Sequence, residues 1–178
     1  IGKGPITAFG GSIVLVFILT TIALFTPGWR YFRHGGPQLG LVTYYCGNGL
    51  REVNYEDCKD WYNARWTFER AALSFMILAF LFELAAIGVF AILFTKPKPS
   101  LGGAAAGISV LIFASLFIAI IVYGVNFQSK PVYIRSNMNE MNGNSILGYA
   151  YWIGLTALIL SLIPLITSGA IPSALKAT

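Results

Sequence analysis

The residue types that most often carry out catalysis or bind metals are scarce in this chain. It has one histidine, His34, together with two cysteines and seven acidic residues among 178 positions. No group of them has the spacing of metal ligands, and no glycine-rich phosphate loop or nucleophile elbow occurs. We therefore expect a protein that is not an enzyme and that uses no cofactor or metal.

Glu83 is the one acidic residue in the middle of a long apolar stretch. An isolated carboxylate is costly inside a membrane, so we expect Glu83 to face the interior of a helix bundle, where it is protonated or hydrogen-bonded. The hydroxyl groups at comparable depth are those of Ser115, Thr156 and Ser161. A structural hydrogen bond is favoured over a proton or ion path, because a transporter usually has several such residues or broken helices, and Pro164 is the only obvious break.

Four long apolar stretches surround these polar residues. The chain is 56% hydrophobic and 11% charged, with a mean hydropathy of +0.70, whereas soluble domains are about a quarter charged. Each stretch is long enough to cross a bilayer as a helix. The predicted spans one to four lie at about 6–26, 71–94, 104–125 and 148–169. The expected fold class is membrane α-helical, a single tetraspan domain over residues 1–178.

Four spans place both termini and the short link 95–103 on one side of the membrane and the longer loops, 27–70 and 126–147, on the other. The link is basic without any acid, and further lysines flank the outer ends of spans one and four. These lysines are Lys3, Lys96, Lys98 and Lys176. They favour a cytoplasmic link and cytoplasmic termini. The eight Lys and Arg residues of the two long loops argue for the opposite orientation.

The two cysteines distinguish these orientations. Cys46 and Cys58 both lie in the first long loop, and neither lies in a span or near the link. A lone pair in one loop indicates a disulfide, which forms on the oxidising side of a membrane; two free thiols are the alternative. We expect a multi-pass plasma-membrane protein with both long loops outside the cell.

The first long loop has the composition of a small folded unit. Residues 29–34 and 39–46 are rich in aromatic and β-branched residues, and 35–37 between them has turn chemistry, which predicts two strands. A third strand is expected at 50–55. Helical spacing from 60 to 68 predicts a short helix that leads into span two, with Trp66 at the membrane interface.

Small residues recur along span three. Gly103 and Gly107 form a small-xxx-small pair that Ser115 and Ala119 repeat further along. Such residues allow helix backbones to approach closely in lipid. They predict a face that docks on another membrane protein, although packing inside the chain's own bundle is the alternative.

Several of these features resemble the claudin and peripheral-myelin-protein superfamily. The shared features are four spans, a large first extracellular loop, a Trp after span one, a Gly-Leu element before a Cys, a second Cys, and an Arg that opens span two. The corresponding residues are Trp29, Gly40, Leu41, Cys46, Cys58 and Arg70. The resemblance implies a four-helix transmembrane bundle with a small extracellular antiparallel β-sheet, stapled by a disulfide between the two cysteines.

Spans three and four are similar to those of stargazin-type glutamate-receptor regulators and calcium-channel γ subunits, in residues 106–109, 120–123 and 148–154. This similarity implies an auxiliary subunit of an ion channel, of glutamate-receptor type, that modulates gating and trafficking. Its partner would bind spans three and four, including Tyr151 and Trp152.

The extracellular partner contacts implied by this resemblance are Arg30, Arg33 and His34. The alternative function is that of a claudin-like junction protein, which uses residues 29–34 and the second loop for adhesion or a paracellular barrier and associates with copies of itself. A small transporter or pore built on Glu83 is a third class. The net charge of +5 does not indicate nucleic-acid binding, because the basic residues are divided between two membrane faces.

Overall fold

The computed structural model of the chain describes residues 3–32, 38–42, 44–45, 67–126 and 145–176. Its helices are α1 (Lys3–Phe25), α2 (Thr67–Thr95), α3 (Pro99–Asn126), α4 (Tyr149–Leu160) and α5 (Leu162–Lys176). They provide four segments long and apolar enough to cross a membrane, with α4 and the first part of α5 together forming the fourth. The four predicted spans are confirmed. We call the end of the bundle at residues 26–29 the loop side and the end at 96–98 the link side.

The four spans pack in sequence order around one core. Helix α1 packs on α2 and on both helices of span four, and α3 packs on α2 and on span four. The residues that face the core recur at spacings of three and four. In α1 they are Ile6, Phe9, Ile13, Val16, Thr20 and Ala23, and in α2 they include Ala72, Met76, Ala79, Glu83 and Ala86. This seven-residue repeat keeps one face of each helix towards its neighbours along its whole length.

The outward faces of the helices are as apolar as the core. Large side chains such as Val125 and Ile166 are among the most exposed, at 70% and 71%. A helix that is apolar all round is stable only where lipid or protein covers it, which is the environment that the length and composition of these spans predict.

Glycines divide into two groups by what surrounds them. An added Cβ at Gly102 would lie 2.9 Å from the Pro172 ring of α5, so this glycine allows α3 and α5 to approach closely. Six others point outward, with no atom within 4 Å of an added Cβ. These open glycines are Gly4, Gly11, Gly88, Gly103, Gly107 and Gly169. All six lie in the link-side half of their spans.

Span four is interrupted where a proline removes a helical hydrogen bond. Helix α4 ends at Leu160, Ser161 forms a turn, and α5 begins at Leu162. Pro164 has no N–H to donate to the carbonyl of Leu160 four residues earlier. The Ser161 N–H donates to the Ala157 carbonyl at 2.9 Å. The predicted break therefore falls on the turn before Pro164.

A small antiparallel sheet caps the loop side of the bundle. Its strands, in the spatial order β3-β2-β1-β4, are β1 (Arg30–Phe32), β2 (Gln38–Leu39), β3 (Tyr44–Tyr45) and β4 (Ser145–Leu147). Arg30 pairs with Leu39 on one side and with Leu147 on the other. Strand β4 comes from the second long loop, for which the sequence predicts no strand.

The expectation of one continuous strand over 39–46 is wrong. Two short strands form a hairpin there instead, with Leu39 opposite Tyr44. The chain turns between them because Leu41 is directed into the core, where it is 0% exposed. The apolar residues of this segment fit the pattern of a single strand, so the turn could not be recognised from the composition.

Four other predictions concern residues outside the described ranges. They are the strand at 50–55, the part of the predicted helix over 60–68 that precedes Thr67, the interfacial position of Trp66 and the disulfide between Cys46 and Cys58.

Candidate functional site

The candidate site is the loop side of the bundle, and it is organised by the way α1 ends. The Thr26 N–H still donates to the Ile22 carbonyl at 3.1 Å. The next helical donor, to the Ala23 carbonyl, would be residue 27, but Pro27 has no N–H. The indole Nε1–H of Trp29 donates to that carbonyl instead, at 2.6 Å and fully buried. Trp29 therefore satisfies a carbonyl that Pro27 leaves without a donor.

The Trp29 ring also contacts aromatic side chains from other spans. It packs edge-on against Tyr123 of α3 and Tyr151 of α4, with ring centroids 5.0 and 5.8 Å apart. Phe68 of α2 packs on Tyr123 at 5.7 Å. We call these four residues the aromatic cluster. Because one ring follows α1 and the others come from α2, α3 and α4, the cluster joins all four spans at their loop-side ends.

Backbone hydrogen bonds connect the aromatic cluster to the sheet. The Gly148 N–H donates to the Trp29 carbonyl and the Ala150 N–H donates to the Gly28 carbonyl, both at 2.9 Å. These bonds continue the pairing of β1 with β4 down to the start of span four. A Cβ at Gly28 would overlap the Tyr149 ring. The sheet is therefore fixed to the ends of spans one and four through their backbones.

Three of the sequence motif residues lie in this region. Trp29, Gly40 and Leu41 are buried, the last two in the turn between β2 and β3. Arg70 lies in the first turn of α2 with its side chain exposed.

The predicted extracellular contacts are only partly described. Arg30 is the first residue of β1, and its side chain is not among those described. Arg33, His34, Cys46 and Cys58 lie outside the described residues. Their roles in partner binding and in the disulfide stay predictions.

The small residues of α3 do not form the single face that the sequence predicted. Gly103 and Gly107 point outward, so packing of these two inside the bundle is ruled out. Ser115 and Ala119 are 6% and 0% exposed, so the prediction that they extend the outward face is wrong. Gly107 and Ala119 are twelve residues apart. Over that distance an α-helix rotates by about 120° beyond three full turns, so Ala119 faces the core when Gly107 faces outward.

The two aromatic residues of span four that were proposed to contact a partner, Tyr151 and Trp152, also face in different directions. Trp152 is 53% exposed on the outside of the bundle. Tyr151 is 8% exposed and belongs to the aromatic cluster, and its hydroxyl donates to the Ile120 carbonyl at 3.3 Å. The prediction that Tyr151 contacts a partner in the membrane is therefore wrong.

Glu83 is fully buried and binds a hydroxyl group other than the three expected from the sequence. The Thr20 hydroxyl of α1 donates to Glu83 Oε1 at 2.8 Å. Of the three expected partners, Thr156 donates to the Trp152 carbonyl and Ser161 to the Leu158 carbonyl. Both lie on span four, whereas span two packs mainly on spans one and three. The third, Ser115, lies on span three, but among the described residues the Glu83 carboxyl accepts a hydrogen bond from Thr20 and not from Ser115.

The second oxygen of this carboxyl group, Glu83 Oε2, has no hydrogen-bond partner among the described residues. Thr20 lies four residues after Val16 and seven after Ile13, which is the spacing of the core-facing residues of α1. This spacing was the signal in the sequence that identifies Thr20 as an inward polar residue of span one. In the described part of the chain, no three His, Cys, Asp or Glu side chains come together as metal ligands.

Comparison with known families gives one match. A family model described as "Tight junction protein, Claudin-like" matches residues 3–175, which cover the described helices and strands except the last residue of α5. No curated protein matches the chain significantly. The match supports the claudin-like superfamily, and the stargazin-type similarity of spans three and four stays a prediction.

Replacing Trp29 tests whether its indole donor stabilises the loop side. Trp29→Phe retains a ring in the aromatic cluster but leaves the Ala23 carbonyl without a donor, which costs about 1–3 kcal/mol when the group is buried. We expect the free energy of unfolding, measured by SDS titration in mixed micelles, to fall by about this amount. Trp152→Phe is the control, because that side chain is on the surface. Equal losses in the two variants would contradict the assigned role of Trp29.

Replacing Thr20 tests the hydrogen bond to Glu83. Thr20→Val retains the side-chain shape but removes the donor, and interhelical hydrogen bonds in membranes contribute about 0.6 kcal/mol on average and about 1.7 at most. We expect a loss of unfolding free energy in this range. Thr21→Val is the matched control, because the Thr21 hydroxyl donates only to the Phe17 carbonyl of its own helix. If the two valine variants unfold alike, the bond to Glu83 contributes nothing to stability.

Proposed function

This chain belongs to the claudin-like tight junction protein family, and on that premise we propose that it is a cell-junction protein. The observation that carries the proposal is the family match over residues 3–175. As a multi-pass membrane protein, it would use its loop-side sheet to contact copies of itself in the same membrane and in the facing one. The function is adhesion or the formation of a paracellular barrier.

The joining of the two long loops supports this proposal. Strand β1 belongs to the first loop and β4 to the second, and they pair over three residues of each strand. Both loops therefore start from one surface. A surface that holds two membranes together has to transfer force to the span bundle, and the hydrogen bonds from Gly148 and Ala150 provide a direct connection.

The proposed location is the plasma membrane, with the loop side outside the cell and both termini in the cytoplasm. The absence of acidic residues from the link and the presence of Lys96 and Lys98 favour this orientation. A disulfide between Cys46 and Cys58 belongs to the same proposal, because it requires the oxidising side.

A second candidate function is that of an auxiliary subunit of an ion channel of glutamate-receptor type. The observation that favours it is a surface open to another membrane helix, formed by Gly103 and Gly107 of α3. Trp152 of α4 is also exposed to the membrane. Small residues on an outward face allow close backbone contact with a partner helix.

Expression in cells that lack junction strands tests the first proposal. We expect the full chain to collect at contacts between two expressing cells and to form continuous strands in freeze-fracture electron microscopy. Contacts between an expressing and a non-expressing cell should lack strands, because adhesion requires a copy in each membrane. An even distribution of isolated particles, together with co-purification of a receptor-type channel, would reject the junction proposal in favour of the second candidate.

Gly107→Leu tests whether the open face of α3 binds a partner, whichever of the two proposals holds. The side chain would occupy the space that a partner helix needs, and overpacking costs about 1–3 kcal/mol. We therefore expect partner affinity in a detergent pull-down to fall between about fivefold and a hundredfold. The monomer should remain folded, because nothing lies within 4 Å of an added Cβ.

Gly11→Leu is the control for this experiment, because Gly11 is an equally open glycine on a different span. If the two variants weaken partner binding to the same extent, the α3 face is not the contact. Unchanged binding in both variants would exclude it as well.

A further inference from the structure

The acidic residues are strongly segregated between the two ends of the molecule, whereas basic residues occur at both ends. Six of the seven acidic residues lie in or next to the long loops, and the seventh is Glu83 inside the bundle. The six are Glu52, Glu56, Asp57, Asp60, Glu69 and Glu140. Between Ile1 and Thr178, the link side has four lysines and no acid. No acidic side chain of this sequence lies on the link side to balance the charge of these lysines.

The link holds two of these lysines at the boundary of the apolar surface. The Lys96 N–H donates to the Ile92 carbonyl at 2.7 Å, at the end of α2. The Leu101 N–H donates to the Lys98 carbonyl at 3.1 Å, at the start of α3. Since α2 and α3 pack along each other, these bonds fix the backbone of both lysines to two adjoining spans.

Both lysine side chains are exposed and lie next to lipid-facing residues. Ile92 and Phe94, in the last turn of α2, are 51% and 48% exposed. The acidic residues that the structure describes, Glu69 and Glu83, lie in the first turn and the middle of α2, away from the end of this helix that meets Lys96. A lysine at the end of a span places its alkyl chain along the apolar surface and its ammonium group at the level of the lipid headgroups.

We propose that the link-side surface formed by Lys96 and Lys98 binds the headgroup of an anionic phospholipid in the leaflet that the link faces. The two ammonium groups supply the charge complementarity, and the adjoining apolar surface of α2 accommodates the acyl chains. Pro97 lies between the lysines and Pro99 follows them, which restricts the backbone of the link. The proposal is independent of whether the protein forms junctions or regulates a channel.

The size of the effect follows from the number of lysines. A lysine near an anionic membrane surface raises affinity by a factor of about five. Two lysines therefore predict a preference of about thirtyfold for an anionic over a zwitterionic phospholipid with the same acyl chains.

The test uses the purified full chain in neutral detergent, titrated with phosphatidylserine or phosphatidylcholine of identical acyl chains. Bound lipid per chain is counted by native mass spectrometry. We expect preferential retention of phosphatidylserine, and loss of most of that preference in the double variant Lys96→Gln and Lys98→Gln. The double variant Lys96→Arg and Lys98→Arg should retain it, because the charge is kept.

A second pair of lysines provides the control for net charge. Lys59→Gln with Lys130→Gln removes the same charge from the long loops and should leave the preference unchanged. An equal loss in this control, or no preference in the unmodified chain, would overturn the proposal. Displacement of phosphatidylserine by excess inorganic phosphate would also overturn it, since the surface would then bind phosphate from solution and not a membrane lipid.

Discussion

The carbonyl of Ala23 needs a donor that the backbone cannot supply, and this constraint organises the loop side. Pro27 ends helix α1 and removes the N–H that would have bonded to Ala23. The Trp29 indole replaces it at 2.6 Å. To reach that carbonyl the indole has to enter the bundle, where it meets Tyr123 and Tyr151. The chain that leaves Trp29 is therefore already positioned as β1, beside β4.

The four spans were accessible from the sequence, but the faces that they turn inward and the partners of individual side chains were not. Apolar length alone identifies a span, because a membrane tolerates nothing else over about twenty residues. Glu83 was correctly expected to be buried. Its partner Thr20 was missed because a sequence does not state which spans are neighbours. Gly103 and Ala119 were assigned to one face because small residues look alike in a sequence, whereas the rotation of a helix separates them.

The loop side was harder to predict because its short strands depend on contacts between distant segments. Strand β4 forms the end of the second loop and has only three residues, too few to produce a periodic pattern. It forms because β1 lies beside it, and β1 is held there by Trp29. Leu41 is of a residue type that the sequence pattern assigns to a strand. Its side chain is instead buried in the core, and the chain turns at that point.

The open glycines affect how closely other molecules can approach the spans. Each lacks the side chain that would otherwise extend into lipid, and all six belong to the same leaflet. Other exposed side chains are large in both leaflets, for example Ile166 and Phe94 towards the link and Trp152 and Phe25 towards the loops. The open glycines are therefore recesses in an otherwise bulky apolar surface, and an acyl chain or a neighbouring helix that enters them can lie directly against the backbone in the leaflet nearest the link.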